Sequence, residues 1–235
     1  MKHTFFIKDW LNSFLSLLFP HCCVVCGRPL AKGEECLCIM CNINLPRTNY
    51  HLRKDNPVER LFWGQIPLER ATSFFFYRKG SDFRQILHQL KYGGKKEVGI
   101  IMGRYMAAEL LDSGFFEGVD VIIPIPLHKK KQQIRGYNQS ECILRGIAAV
   151  TGITVCVESV VRRKNTETQT RKSVFERWEN VDGIFELNHA DSLTGKHILI
   201  VDDVLTTGAT TIACASRLAE VEGTRTSVLT LAMAD

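Results

Sequence analysis

The stretch His197-Ile198-Leu199-Ile200-Val201-Asp202-Asp203-Val204-Leu205-Thr206-Thr207-Gly208-Ala209-Thr210-Thr211 decides how the rest of the chain reads. Residues 198–201 are all Ile, Leu or Val, the pattern of a strand covered on both faces rather than one facing water. Two carboxylates stand at its end, then small hydroxyl residues around Gly208, and a helix is expected over 210–221. The first N–H groups of such a helix have no partner within it, and its dipole favours an anion there. The threonine hydroxyls add donors, and Gly208 lets the backbone approach closely. Asp202 and Asp203 would repel that anion, so they call for a polyol or a cation beside it. A ribose with free 2′ and 3′ hydroxyls, one bond from its own 5′-phosphate, meets both demands. An ordinary strand-to-helix turn explains either half alone. The combination of both halves within nine residues, 202–210, favours a ligand site.

The flanking sequence repeats the rhythm. Strands are expected over 72–77, 119–123, 153–157 and 227–231, and helices over 97–111 and 138–150. Phe83, Ile86, Leu87 and Leu90 fall at i, i+3, i+4 and i+7, one helical face that ends at Gly93-Gly94. Apolar strands alternating with amphipathic helices predict an α/β fold, a mostly parallel sheet flanked by helices, with ligands beyond the carboxyl ends of its strands. The stretch 49–67, polar and irregular with a proline near each end, reads as a connection. It divides the chain into 1–48 and 49–235.

At 235 residues and 45% hydrophobic content, the chain can bury a real core, which excludes disorder as the default. The net charge of +5 mixes 30 basic with 25 acidic residues, so anionic partners are favoured only mildly. Near the start, Asp9 and Asn12 interrupt the apolar run and Phe6, Trp10, Phe14, Leu17 and Leu18 recur at helical spacing. An amphipathic helix packed on the body is expected there, rather than a secretory signal or a membrane span.

Six of the nine cysteines lie between Cys22 and Cys41, which suits metal binding in a reducing, cytoplasmic setting better than disulfides. Cys23-x2-Cys26 and Cys38-x2-Cys41 form two knuckles 11 residues apart, a tetrathiolate set that structural Zn²⁺ accepts. Cys22 and Cys36 offer alternative registers. Cys142, Cys156 and Cys214 fall in core segments and read as packing.

Two basic segments remain. Lys129, Lys130, Lys131 and Arg135 follow the strand at 119–123 and should share a rim with Asp202 and Asp203. Arg162, Arg163, Lys164, Arg171, Lys172 and Arg177, interspersed with Thr166, Thr168, Gln169, Phe175 and Trp178, form the second. It reads equally as a hood over the site or as a track for a nucleic-acid backbone.

The strand, acid pair and Thr-Thr-Gly turn resemble the fingerprint of type I phosphoribosyltransferases. More narrowly, Cys23-Val24-Val25-Cys26-Gly27, Leu90-Lys91-Tyr92-Gly93-Gly94, Pro124-Ile125-Pro126-Leu127-His128, Arg135-Gly136-Tyr137-Asn138-Gln139 and Thr168-Gln169 resemble the ComF/GntX group. Two positions depart from its pattern, Lys131 where Arg is usual and Met233 where a basic residue is frequent. The resemblance implies a zinc ribbon followed by a phosphoribosyltransferase-like domain that binds phosphoribosyl diphosphate with Mg²⁺. Asp202 and Asp203 would hold ribose and metal, and Thr206, Thr207, Gly208, Ala209 and Thr210 the 5′-phosphate. Lys129, Lys131 and Arg135 would hold the diphosphate. It also implies a link to competence, DNA uptake, single-stranded DNA and the proteins of the competence machinery.

Overall fold

A computed structural model describes residues 20–163 and 184–235. The helix expected within 1–19 and most of the second basic segment, 164–183, lie outside the described residues.

Five strands form one sheet, β1 (Arg70–Tyr77), β2 (Val121–Pro124), β3 (Thr154–Val155), β6 (His197–Leu205) and β7 (Arg225–Ala234). Every neighbouring pair is parallel, in the order β1-β7-β6-β2-β3. A separate antiparallel pair, β4 (Val160–Arg162) and β5 (Phe185–Leu187), stands beside it. Three long helices cover one face: α3 (Arg84–Tyr92), α4 (Lys96–Leu110) and α6 (Gln139–Thr151). They bury Leu90, Met102, Met106, Ile143 and Ile147 against Phe74, Leu199, Val201, Leu229 and Leu231. The other face receives α7 (Ala209–Leu218), the β4–β5 pair and, unexpectedly, the 49–67 stretch. That stretch contains a short helix α2 (Pro57–Arg60), capped by Asn56 and preceded in the chain by the cysteine-bearing α1 (Ile39–Ile43). Its Val58, Phe62 and Ile66 are buried with Ile198, Ile200 and Val228. What reads locally as a connection is therefore part of the core through these three residues, while its Leu52 and Trp63 stay exposed.

Boundaries differ from expectation mainly at the site. β6 runs four residues past Val201, held by β7 through Asp202↔Thr230, Val204↔Ala232 and Leu205↔Met233, whereas its pairing with β2 ends at Pro124↔Val201. Pro124 and Pro126 stop β2, because proline lacks the N–H a ladder requires. The sheet thus opens between β2 and β6 just where the acid pair emerges. The lysine run forms a helix, α5 (Lys129–Arg135), capped by His128 and terminated by Gly136 with φ 77°.

α4 and α6 cross at backbone contact. A Cβ at Gly103 would lie 3.2 Å from Gly146 Cα and closer still to the Ile143 carbonyl oxygen, and one at Gly99 would lie 2.8 Å from Cys142 Cβ. Close approach of these helices sets the N-terminus of α6, with Asn138, Gln139 and Ser140, beside the open end of the sheet.

Candidate functional site

In the strand order β3-β2-β6-β7-β1, the chain proceeds from β2 outward to β3 and then returns to β6 on the other side of β2. The carboxyl ends of β2 and β6 therefore flank a topological switch point, where open α/β sheets form their ligand crevice. Asp202 and Asp203 lie there, both partly buried. Asp202 Oδ1 accepts from the Ser140 hydroxyl at 2.9 Å and from the Asp203 backbone N–H at 2.8 Å. Lys91 Nζ stands 3.1 Å from Asp203 Oδ2. Burial, and then the neighbouring Asp203 charge, push the Asp202 carboxyl up to about 7, against the pull of its two donors and Lys91. Two carboxylates this close favour a cation or hydroxyl donors between them.

The chain then passes through exposed Thr206 and Thr207 to Gly208, which adopts φ 75° as the N-cap of α7. A Cβ at Gly208 would also press on Phe62 Cε1 at 3.3 Å, so glycine is required there both by conformation and by space. Among the described residues no side chain caps this helix, so its first N–H groups keep their donor capacity beside the threonines. Ala209 and Thr210 form the first turn and are half-buried.

Cations converge from several elements. Lys131 on α5 is held below the usual ammonium range by burial and then by the charges of Arg162, Arg135 and Lys91. Arg162 on β4 is lowered by burial, against the attraction of Asp202. Arg135 donates to Gln139 Oε1 at 2.7 Å and lies over the Tyr92 ring. The six residues 135–140 tie the walls together. Besides the Arg135–Gln139 bond, Tyr137 donates to the Leu90 carbonyl at 2.6 Å, Asn138 Nδ2 to the Ile125 carbonyl at 3.0 Å, and Ser140 to Asp202. Lys131 and Arg135 thus neighbour Lys91 and Arg162, the two cations that feel the acid pair directly. Lys129 is exposed on the first turn of α5, and no described contact joins it to that group. Lys91 and Ser140 were not expected at the site. Lys91 is separated from Asp203 by over a hundred residues of sequence, and Ser140 looks like any polar residue in a helix's first turn.

The cysteines form a second candidate site. The Sγ atoms of Cys23, Cys26, Cys38 and Cys41 all lie within 4.8 Å of one another, and those of Cys26 and Cys38 are 3.7 Å apart. Tetrahedral thiolates at about 2.3 Å from a Zn²⁺ would be roughly 3.8 Å apart, so the nest fits that ion. Gly27, at φ 72°, turns the first knuckle, and Cys38 precedes α1, which carries Cys41. Burial opposes ionisation of Cys23, yet the backbone N–H groups of Cys26, Cys38 and Val25 bring its thiol down to about 7. Neither alternative register belongs to the cluster. Cys36 is buried with its thiol against Met102 Sδ on α4, and Cys22 is exposed beside the Pro20 carbonyl.

Residues 142–234 match the family model of the phosphoribosyl transferase domain, a match that begins in α6 and includes the acid pair and the Thr-Gly loop. The chain is 29% identical to the "DNA utilization protein YhgH" of Shigella flexneri over 217 residues, 86% of this chain and 92% of that one. It is 25% identical to "Competence protein ComFC" of Bacillus subtilis, over 85% of this chain and 72% of that one. The chain is similar along most of its length to these DNA utilization and competence proteins. The sheet and its flanking helices are phosphoribosyltransferase-like, and the cysteine cluster fits a small metal module. Among solved structures, a hypoxanthine phosphoribosyltransferase from Staphylococcus aureus covers 59% of this chain and 64% of its own, with a TM-score of 0.39 at 13% identity. None of the described helices is long and apolar enough to cross a membrane.

Proposed function

We propose that the crevice between β2 and β6 binds phosphoribosyl diphosphate together with Mg²⁺, and that residues 49–235 form the binding domain. The observation that carries this reading is one arrangement: Asp202 and Asp203 at the switch point, beside a helix N-terminus, with Lys91 and Arg162 against them and Lys131 and Arg135 next to those two cations. A 5′-phosphate suits Thr206, Thr207, Gly208, Ala209 and Thr210, where N–H and hydroxyl donors meet the helix dipole. The ribose hydroxyls suit Asp202 and Asp203. The diphosphate suits Lys131 and Arg135, with Lys129 at the outer rim.

A bound Mg²⁺ would neutralise charge on the diphosphate, and the oxygen ligands it prefers match the carboxylate of Asp203, which already takes a cation. The reaction class open to this site is displacement at C1. A nucleophile bonds to C1 while the C1–O bond breaks, and the diphosphate leaves with the electron pair. Cations around the leaving group stabilise the charge that develops there. In the same reading residues 1–48 form a structural zinc module through Cys23, Cys26, Cys38 and Cys41. A closed four-thiolate site has no open position for chemistry.

Calorimetry with phosphoribosyl diphosphate and Mg²⁺ tests the pocket. Asp203→Asn and Thr207→Ala should each weaken binding tenfold or more, the worth of a hydrogen bond to a charged group, with the fold retained. Unchanged affinity in both variants would place the ligand elsewhere. Release of diphosphate in the presence of candidate acceptors reports turnover.

A second reading, single-stranded DNA handling, is favoured by the names of the relatives, one a DNA utilization protein and one a competence protein. It makes the exposed lysines of α5 part of a backbone track, and its signature is a steep salt dependence.

A further inference from the structure

Lys91 belongs to neither the acid pair nor the basic run of α5, yet it touches the first and its charge acts on the second. Its ammonium is 3.1 Å from Asp203 Oδ2, with only 23% of the lysine side chain and 14% of the aspartate exposed, so solvent and salt screen this pair less than a surface one. Its charge is also among those that depress Lys131 on α5. The backbone beneath it is fixed. Leu90 is fully buried, its carbonyl accepts from Tyr137, and Gly93 ends the helix two residues on. The head group sits on a four-carbon stem and can swing without moving that anchor. Lys131 and Arg135 lie next to Lys91, so an incoming polyphosphate would meet several cations at once.

We infer that Lys91 is the resident counter-ion of the pocket, pairing with Asp203 in the ligand-free protein and exchanging that carboxylate for the diphosphate when Mg²⁺ and phosphoribosyl diphosphate bind. Lys91 then competes with the metal when metal is offered alone, and supports the ligand when both are present. Tyr137 is a positioning residue, since it holds the carbonyl next to Lys91. The inference rests on the pocket reading for its second half only. The competition with metal concerns the chain's own carboxylate and can be measured without the ligand.

The test titrates full-length wild type, Lys91→Met and Lys91→Arg with Mn²⁺ alone, read by electron paramagnetic resonance, and with phosphoribosyl diphosphate at saturating Mg²⁺, read by calorimetry. Lys91→Met keeps the stem and removes the charge. It should bind Mn²⁺ alone several-fold more tightly than wild type, and phosphoribosyl diphosphate at least about tenfold more weakly. Lys91→Arg should stay near wild type on both, and Tyr137→Phe should move in the direction of Lys91→Met by a smaller factor. Mn²⁺ affinity that is equal in wild type and Lys91→Met, or no Mn²⁺ binding by either, overturns the counter-ion role. Tighter Mn²⁺ binding with undiminished ligand affinity overturns the exchange alone. A wild type that binds Mn²⁺ in competition with Lys91 but takes no phosphoribosyl diphosphate overturns the pocket reading and, with it, the exchange.

Discussion

Replacing Gly103 by alanine sets two physical effects against each other. Helix propensity alone predicts a gain of about 1 kcal/mol, because glycine in a helix interior is disfavoured by that amount relative to alanine. Gly103 is inside α4, where it faces α6. The new methyl would lie 3.2 Å from Gly146 Cα and would overlap the Ile143 carbonyl oxygen, both backbone atoms that cannot rotate aside. The helices must separate along a crossing that is otherwise closely packed, an overpacking cost of about 3 kcal/mol. Sterics win, and the net loss is about 2 kcal/mol, a fall in Tm of roughly 4–8 °C for a chain of this size. The displaced α6 carries Asn138, Gln139 and Ser140, so affinity for phosphoribosyl diphosphate should fall as well. Gly80 is the control: a methyl there would meet nothing within 4 Å and its φ is not positive, so Gly80→Ala should be neutral. Urea denaturation and calorimetry on both variants decide it. A Gly103→Ala protein as stable as wild type, or more stable, would refute the claim that α4 and α6 meet at their backbones.

Purified wild-type protein should carry about one zinc per chain, and Cys26→Ser should lose it and destabilise the N-terminal module, whereas Cys214→Ser, buried on α7, should retain the metal; elemental analysis of reduced samples reads both. His197 is buried, its Nε2 2.9 Å from Ser227 Oγ, and burial, then the Arg225 charge, lower its pKa. The unfolded chain therefore takes up this proton first, and the stability present above about pH 6.5 is lost as pH falls below it. His197→Gln should flatten the difference in urea midpoint between pH 7.5 and 5.5, and an identical difference in wild type and variant would contradict the assignment. If single-stranded DNA follows α5, Lys131→Ala should reduce the log–log salt slope of binding by about 0.7, and titrations at several salt concentrations would show an unaltered slope if it does not.

The linear pattern was enough to establish the alternation of strands and helices, the acid pair with its Thr-Gly loop, and the pairing of Cys23-x2-Cys26 with Cys38-x2-Cys41 as candidate ligands. These are local properties. Hydrophobic periodicity, a strand-to-helix turn and ligand spacing are all written within a few residues, because the forces behind them act between near neighbours in the chain. Only the tertiary structure decided that Cys36, the alternative register, turns away from the cluster toward Met102, because packing on α4 holds it there. It alone drew the 49–67 stretch into the core, where three apolar residues count for more than their polar neighbours. It also brought Lys91 to Asp203 and Ser140 to Asp202. Those contacts arise from where the sheet opens and from how closely α4 and α6 cross. Charge pairing across such separations in sequence depends on chain topology, which no local pattern records.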